Sequence, residues 1–552
     1  MMKTLYKNGL IFTGSLPLSQ AFLVEGDTIL RVGGEELVCE LANAPDVTSV
    51  DLQGQFVCSG FQDSHMHLVS YGKLLQEAPL AAHTQSLSDM LSCLAEFEHQ
   101  HPGDGWLIGR GWNQDYFTDV SRLPDRHDLD QISTTRPIGA VRACGHCLVV
   151  NTKALELLHI TANTPQPVGG RIEIVDGKPN GLFYDDAMQL IDRALALPTK
   201  DEVKKMILNA CRSLNAYGVT SVQTDDFSVC RELPWSVIHE AYQELEAEGL
   251  LTVRIWEQAN FTTLANLKEY REAGNYTGVG TEFFRVGPLK LLGDGSLGAR
   301  TAFLSRPYED DPTTCGFPIF SQQTLEDLIL YAHTHDMQIA VHCIGDACLD
   351  RVLTAYEKAF AASPCENHRH GIVHCQISRP DQLEKIRQLG LHVYCQSIFL
   401  DYDTHIVEAR VGKELAASSY SWKTLLDSGV TVSNGSDCPV ELPNVLASIQ
   451  CAVTRASLSD PEHPYLPEQA FSVEEALQSY TTAGAFSSFS EQQTGKIAPG
   501  YRADFVVLKQ NPFTTAPAHL KDIPITATAI NGQVVYGSLP QTEAAADPVH
   551  NA

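Results

Sequence analysis

Two histidines separated by one residue, His65 and His67, are the first residues here whose types and spacing could do chemistry. They follow an apolar, strand-like run, Phe56-Val57-Cys58-Ser59-Gly60-Phe61, inside the segment Gly60-Phe61-Gln62-Asp63-Ser64-His65-Met66-His67-Leu68. Side chains two apart on an extended backbone face the same way. Two imidazoles so placed can take adjacent corners around one metal ion. The chain has 20 histidines, so the pair alone is a weak motif. The metal reading depends on the remaining ligands.

Further donors stand in or at the ends of other apolar runs. Lys290 lies inside Arg285-Val286-Gly287-Pro288-Leu289-Lys290-Leu291-Leu292. His342 ends Gln338-Ile339-Ala340-Val341-His342, and His374 ends Gly371-Ile372-Val373-His374. Asp437 ends Thr431-Val432-Ser433-Asn434-Gly435-Ser436-Asp437. Each has an ordinary explanation alone: a hydrogen-bonded core histidine, a turn aspartate before Cys438-Pro439, a snorkelling lysine. Together they form a nitrogen and oxygen donor set of the kind that binds metal.

Such a set needs a scaffold that brings strand ends together. Short β-branched runs recur at 56–61, 219–224, 252–258, 286–292, 338–343, 370–375, 391–395 and 430–434. Amphipathic stretches at 201–216, 235–249, 323–336, 347–361 and 379–389 lie between them. Eight strands alternating with helices predict an α/β fold, a (β/α)8 TIM-like barrel over 56–489, with an open doubly wound sheet as the alternative. Active sites of such barrels sit at the C-terminal strand ends, where the donors above fall. The gap between the first two runs is too long for one βα unit, so 75–200 reads as an insertion, a lid or subdomain over the barrel mouth. Both chain ends alternate apolar and polar residues: 3–12, 21–33 around Gly26-Asp27, Ala503–Leu508, and a hairpin around Asn531-Gly532. A small composite β-sandwich domain built from 1–55 and 490–540 is expected.

Composition narrows the function. A chain of 552 residues suits one large domain and a smaller one. Its net charge of −28 argues against nucleic acid as a partner. Fifteen cysteines, an odd number scattered through apolar runs, suggest free thiols in a reducing compartment. No apolar run reaches the ~18 residues that span a bilayer. Residues 1–12 read as a strand rather than a signal peptide. The expectation is a cytoplasmic protein with a small-molecule substrate and no membrane partner, with a homodimer allowed.

The sequence resembles the amidohydrolase superfamily of metal-dependent hydrolases. The matching elements are 60–67, His342, His374, Ser436-Asp437 and the closing stretch Thr494-Gly495-Lys496-Ile497-Ala498-Pro499-Gly500-Tyr501-Arg502-Ala503-Asp504. Lys290 with Gly293-Asp294-Gly295-Ser296-Leu297-Gly298-Ala299-Arg300-Thr301-Ala302, and His342-Cys343-Ile344-Gly345-Asp346, look like its amidohydrolase-3 branch, which includes N-substituted formamide deformylases. Gln62 departs from the Ile or Val common at that position, which is not a ligand position. The resemblance implies a binuclear centre with two divalent ions, zinc first, with manganese or iron also suited to such donors. His65, His67 and Asp437 would hold one ion, and His342 and His374 the other. Lys290 would bridge them once carboxylated by CO2, because a protonated amine has no lone pair to give. Asp437 would act as general base in cleaving a non-peptide amide-type carbon–nitrogen bond with a metal-activated hydroxide. A cyclic-amide hydrolase or deaminase of the same superfamily is the alternative. A non-catalytic regulatory protein on a barrel scaffold ranks third.

Four more residues are substrate-binding candidates: His146, Trp112, Arg300 and Asp346. His146 begins a Gly-His-x-x-x-x-Asn pattern of the branch with Gly145 and Asn151. Trp112, with Trp106, Tyr116 and Phe117, could line an apolar pocket. Arg300 and Asp346 follow strand ends and could orient ligands. Two motifs read as decoys. Cys144-Gly145-His146-Cys147 has redox spacing but leads into an apolar run. Gly293-x-Gly295-x-x-Gly298 matches a dinucleotide fingerprint, but no amphipathic helix follows.

Overall fold

The computed structural model describes residues 3–42, 44–144, 146–167, 169–192, 195, 197–227 and 233–540. They form two compact units: Met1–Ser70 with Ile207–Ala552, and Tyr71–Met206.

The first unit is organised by eight parallel strands in one sheet. They are β1 (Phe61–Met66), β2 (Val219–Thr224), β3 (Arg254–Asn260), β4 (Phe284–Leu292), β5 (Ile339–Cys343), β6 (Gly371–His374), β7 (His392–Cys395) and β8 (Val432–Asn434). Each pairs with its neighbour in chain order, from β1 to β8. The two end strands also meet. Ser64 Oγ donates to the Asn434 carbonyl (2.8 Å), and Asp437 N–H donates to the His65 carbonyl (2.8 Å). The result is the (β/α)8 TIM-like barrel of the sequence reading. Among its helices are Trp235–Ala247, Gln322–Thr334, Asp346–Ala362 and Pro380–Gln388, close to the expected amphipathic stretches. Strand register sets the site: Lys290 pairs with Ala340, Leu292 with His342, and Cys343 with His374.

One element differs from the sequence reading. The run 56–61 is not the first barrel strand, because the chain changes sheet at Gly60. Phe56–Ser59 runs antiparallel to Phe505–Leu508, outside the barrel. Phe61–Met66 then pairs parallel with β2. Gly60 N–H donates to the Asp504 carbonyl (3.0 Å) and Phe61 N–H to the Gly218 carbonyl (2.9 Å). A side chain at Gly60 would stand 2.2 Å from Thr220 Oγ1, so only glycine fits this crossing.

The chain ends supply two further sheets. One has four strands, ordered Thr28–Gly33, Ala21–Glu25, Lys3–Lys7, Val47–Asp51. The other has five, ordered Leu10–Ile11, Phe56–Ser59, Phe505–Leu508, Ile525–Ile530, Gln533–Gly537. Both contribute to one buried cluster in which Tyr6 stacks on Phe22 at 4.6 Å and meets Phe505 edge-on at 5.1 Å. The last hairpin turns on Asn531-Gly532, both with positive φ, as a type I′ turn requires.

The second unit, Tyr71–Met206, is built on a six-stranded sheet. Its core gathers Leu94, Leu107, Trp112, Leu129, Ile138 and Val149. Asn151 caps helix Thr152–Leu157 from a fully buried position. Its Oδ1 accepts from Ile138 N–H and Ala154 N–H (both 3.0 Å), and its Nδ2 donates to the carbonyls of Ser133 and Arg136 (both 2.8 Å). No helix among the described residues is long and apolar enough to cross a membrane.

Candidate metal centre

The C-terminal ends of β1, β4, β5, β6 and β8 bring the six strand-end donors into one chain of contacts. His65, His67 and Asp437 offer one ligand atom each, all within 4.8 Å of one another. Asp437 Oδ1 lies 3.2 Å from Nε2 of His65 and 3.2 Å from Nε2 of His67. Lys290, 1% exposed, sets its Nζ 3.2 Å from Nε2 of His65 and 3.8 Å from Asp225 Oδ2. The His374 ring lies 5.7 Å from that of His65 and 4.4 Å from that of His342. His342 and His374 thus stand beside the triad as a second pair.

Outer hydrogen bonds orient every ring. Gln258 anchors its amide N–H on the Ser64 carbonyl (3.2 Å), so its Oε1 accepts from Nδ1–H of His65 (2.7 Å). Gln396 does the same from the Tyr394 carbonyl (3.1 Å) toward Nδ1–H of His374 (2.7 Å). His67 donates Nδ1–H to the Asp225 carbonyl (2.9 Å). In all three Nδ1 is engaged outward and Nε2 is the atom turned toward the cluster, free as a lone pair wherever the ring is neutral. His342 is reversed: its Nε2–H donates to the Gly295 carbonyl (3.1 Å), which leaves Nδ1 for a ligand.

Asp63 ties β1 to the loop after β8. It accepts from His65 N–H (3.2 Å), Ser436 N–H (3.1 Å) and the Ser436 hydroxyl (2.5 Å). The backbone is also unusual here. His374 (φ 73°) and Asp437 (φ 56°) both sit in the left-handed region that non-glycine residues seldom adopt. Two donors held there are over-determined by their surroundings, a common property of functional sites.

Burial sets the electrostatics. It pushes His65 down to about 4, helped by Lys290, and pushes His374 well below the ordinary histidine value, helped by His342. Both are thus neutral, as metal ligation requires. Burial also lowers the Lys290 amine. His67 behaves differently: burial pulls it down, but the Asp437 carboxylate overrides that and raises it to about 9. Burial works against the Asp437 charge, yet its bonds to His65 and His67 hold the carboxyl well below the usual range. Asp63 is raised by burial to about 7. Neutral His65 and His374, an ionised carboxylate, a lysine pressed toward its amine form and a His67 that gives up its proton on binding fit divalent cations of the zinc, manganese or iron type.

The second-tier candidates make contacts of their own. Trp112 is fully buried in the core of the second unit, with its indole N–H on the Ala140 carbonyl (2.8 Å). Its side chain packs in that core. Trp106 and Phe117 pack against cores of that unit, and Tyr116 is exposed. His146 is exposed in the same unit and meets Asp185 at 3.1 Å, while Gly145 of its pattern lies outside the described residues. Arg300 pairs with Asp310 (2.8 Å), which also meets Arg410. Asp346 is fully buried and accepts from Ser305 N–H (2.9 Å) and Arg379 (2.7 Å).

The decoys resolve geometrically. Cys144 and Cys147 are both free, and strand Cys147–Val150 continues where a redox motif would open a helix. Gly293–Gly298 forms a loop without a following helix. A side chain at Gly293 would stand 2.7 Å from the His342 carbonyl, which explains the glycine without a nucleotide.

Residues 48–536 match the sequence profile described as the Amidohydrolase family. YtcJ of Bacillus subtilis (strain 168), which carries an amidohydrolase name, is 34% identical over 540 residues, 97% of this chain and 99% of its own. N-substituted formamide deformylase of Arthrobacter pascens is 25% identical over 533 residues, 94% of this chain and 95% of its own. The crystal structure of an uncharacterized metal-dependent hydrolase from Pyrococcus furiosus superposes with a TM-score of 0.76 at 28% identity, covering 93% of this chain and all of that one. The chain belongs to the amidohydrolase family, and with it to the metal-dependent hydrolases.

Proposed function

We propose that this protein cleaves a non-peptide carbon–nitrogen bond of the amide type, using two divalent ions. His65, His67 and Asp437 would hold one ion, and His342 and His374 the other, with carboxylated Lys290 between them. The observation that carries this reading is the place of Lys290: a buried Nζ 3.2 Å from a histidine donor atom, in surroundings that lower its pKa. The neutral amine that burial favours is the form that adds to CO2. One N–C bond forms and one proton leaves, and the resulting carbamate offers two oxygens. The amide bond type rests on the name of the Arthrobacter relative.

The bound ions would supply Lewis acidity, polarising a carbonyl and making hydroxide available near neutral pH. The chain's own residues do the rest. Asp437 takes the proton from the attacking group and passes it to the leaving nitrogen. Gln258, Gln396 and the Asp225 carbonyl keep three imidazoles turned inward, so that no reorientation is needed during reaction. We also read the two terminal sheets as the composite β-sandwich domain, a reading supported by their shared cluster.

Elemental analysis of protein expressed with added metal tests the centre. Two metals per chain are expected, with the mass of one added CO2 at Lys290. One metal per chain with an unmodified lysine overturns the binuclear reading. A screen across formamides, acylated amines and cyclic imides tests the bond, with turnover expected among the first two.

A further inference from the structure

Outward from His374 and Asp437, the loops after β6, β7 and β8 carry a group of polar residues that the metal centre does not use. Asp403 ends helix Leu400–Asp403 after β7 and accepts from Tyr420 Oη (2.9 Å) and Gln376 Nε2 (3.1 Å). Asp401, two residues earlier, is held by the Ser457 hydroxyl and Leu458 N–H (both 2.7 Å). Glu441 lies four residues beyond Asp437 and is half-buried. Gln376, two residues beyond His374, is 2% exposed, and its Oε1 has no hydrogen-bond donor. The bond from its Nε2 to Asp403 fixes the amide orientation, so the orphan is an acceptor beside a carboxylate. Tyr402, Val440 and Leu442 are large apolar side chains exposed among these residues.

We propose that these loops form a subsite for the ammonium group of a cationic, aralkyl or alkyl amine-bearing substrate, with Gln376, Asp403 and Glu441 as its acceptors. The proposal rests on the amide-hydrolase reading and names a substrate class for it. An ammonium has three donors and no acceptor, which matches two carboxylates and an amide oxygen without a donor. The apolar rim of Tyr402, Val440 and Leu442 suits the body that carries the charge. Location agrees, since barrel substrates bind at the C-terminal strand ends.

The electrostatics agree as well. Burial, then Asp401 and Asp403, raise Glu441 to about 7. Burial raises Asp403 to about 6, against Tyr420 and Gln376. Neither shift has a cation among its causes. A bound ammonium would supply the missing countercharge, and such charge-assisted bonds are the strong ones.

Calorimetry with phenethylamine and its neutral counterpart phenethyl alcohol tests this on metal-loaded and chelator-treated full-length protein. The amine is expected to bind at least about tenfold more tightly in both forms, the scale of one charged hydrogen bond. Glu441→Gln and Asp403→Asn should each remove most of that preference. Glu441→Gln, at a half-buried position, should leave the melting temperature unchanged, which keeps the test valid if Asp403→Asn fails to fold. Equal binding of the two probes, binding of neither, or a preference that disappears without metal overturns the subsite. Turnover of a neutral formamide alongside equal probe binding would reject the subsite and leave the hydrolase. A cation preference in a protein that takes up no metal would do the reverse.

Discussion

Nζ of Lys290 lies 3.2 Å from Nε2 of His65, although the two residues are 225 positions apart in the chain. Two nitrogens this close and this buried cannot both stay protonated. An anion in place of the lysine cation would convert that repulsion into shared ligation. Lys290→Gln should therefore reduce metal content from about two ions per chain to about one and lower turnover by at least about a hundredfold, the scale of losing a Lewis acid. Elemental analysis with steady-state kinetics checks both. An undiminished metal count in the variant would remove the lysine from the centre.

Asp437→Asn separates proton transfer from ligation. An amide oxygen can still approach the histidines but accepts no proton at neutral pH. Turnover should fall about 10²- to 10⁴-fold while much of the metal stays bound. Near-normal rates would exclude Asp437 as the base.

Metal uptake should depend on pH. His67 is protonated below about 9 because of Asp437, and a metal needs its lone pair. Each binding event must expel that proton, so affinity should rise about tenfold per pH unit between about 6.5 and 8.5. Chelator competition across that range measures the slope, and a flat profile contradicts a protonated His67.

Gln258 and Gln396 are neutral orienting groups, and removing one frees a ring to turn. Gln258→Leu and Gln396→Leu should each weaken metal binding about 10- to 100-fold. Gln258→Glu, which still accepts from Nδ1–H, should recover most of the loss. Binding unchanged in both leucine variants would show that the rings are held by packing alone.

Stability should respond at a different place. Arg254, at the start of β3, grips Asp504 with two bonds (2.7 and 3.1 Å) in a buried site. Asp504→Ala leaves Arg254 with Glu282 (2.9 Å) as its remaining carboxylate and should cost about 2 kcal/mol, the scale of a lost charged hydrogen bond. Urea denaturation reads this as a lower midpoint, and a shift worth less than about 1 kcal/mol would place the pair among weak surface bridges.

The six strand-end donors are legible in the sequence because both their types and their positions at the ends of β-branched runs are unusual for the core. Asp225, Gln258 and Gln396 are equally at strand ends, of β2, β3 and β7, and the same rule finds them. They escape a search by type because glutamine is not a metal ligand and Asp225 follows a run with no histidine. The start of β1 escapes for another reason. Phe56–Ser59 and Phe61–Met66 are buried throughout, so neither alternates and nothing in the periodicity marks the change of sheet. Trp112 and Asn151 show a third limit. Both are polar-capable residues in a promising stretch, and only their backbone partners reveal that they hold the second unit's own structure.

The crossing at Gly60 has a consequence for how the molecule can be divided. Four residues on one side belong to a terminal sheet, and His65 stands five residues beyond on the other. With the Arg254–Asp504 grip beside it, this short span works as a splint between metal donor and chain ends. A barrel excised at that point would lose the anchor of its first strand. Trimming either terminus should thus register at the catalytic centre before it registers anywhere else.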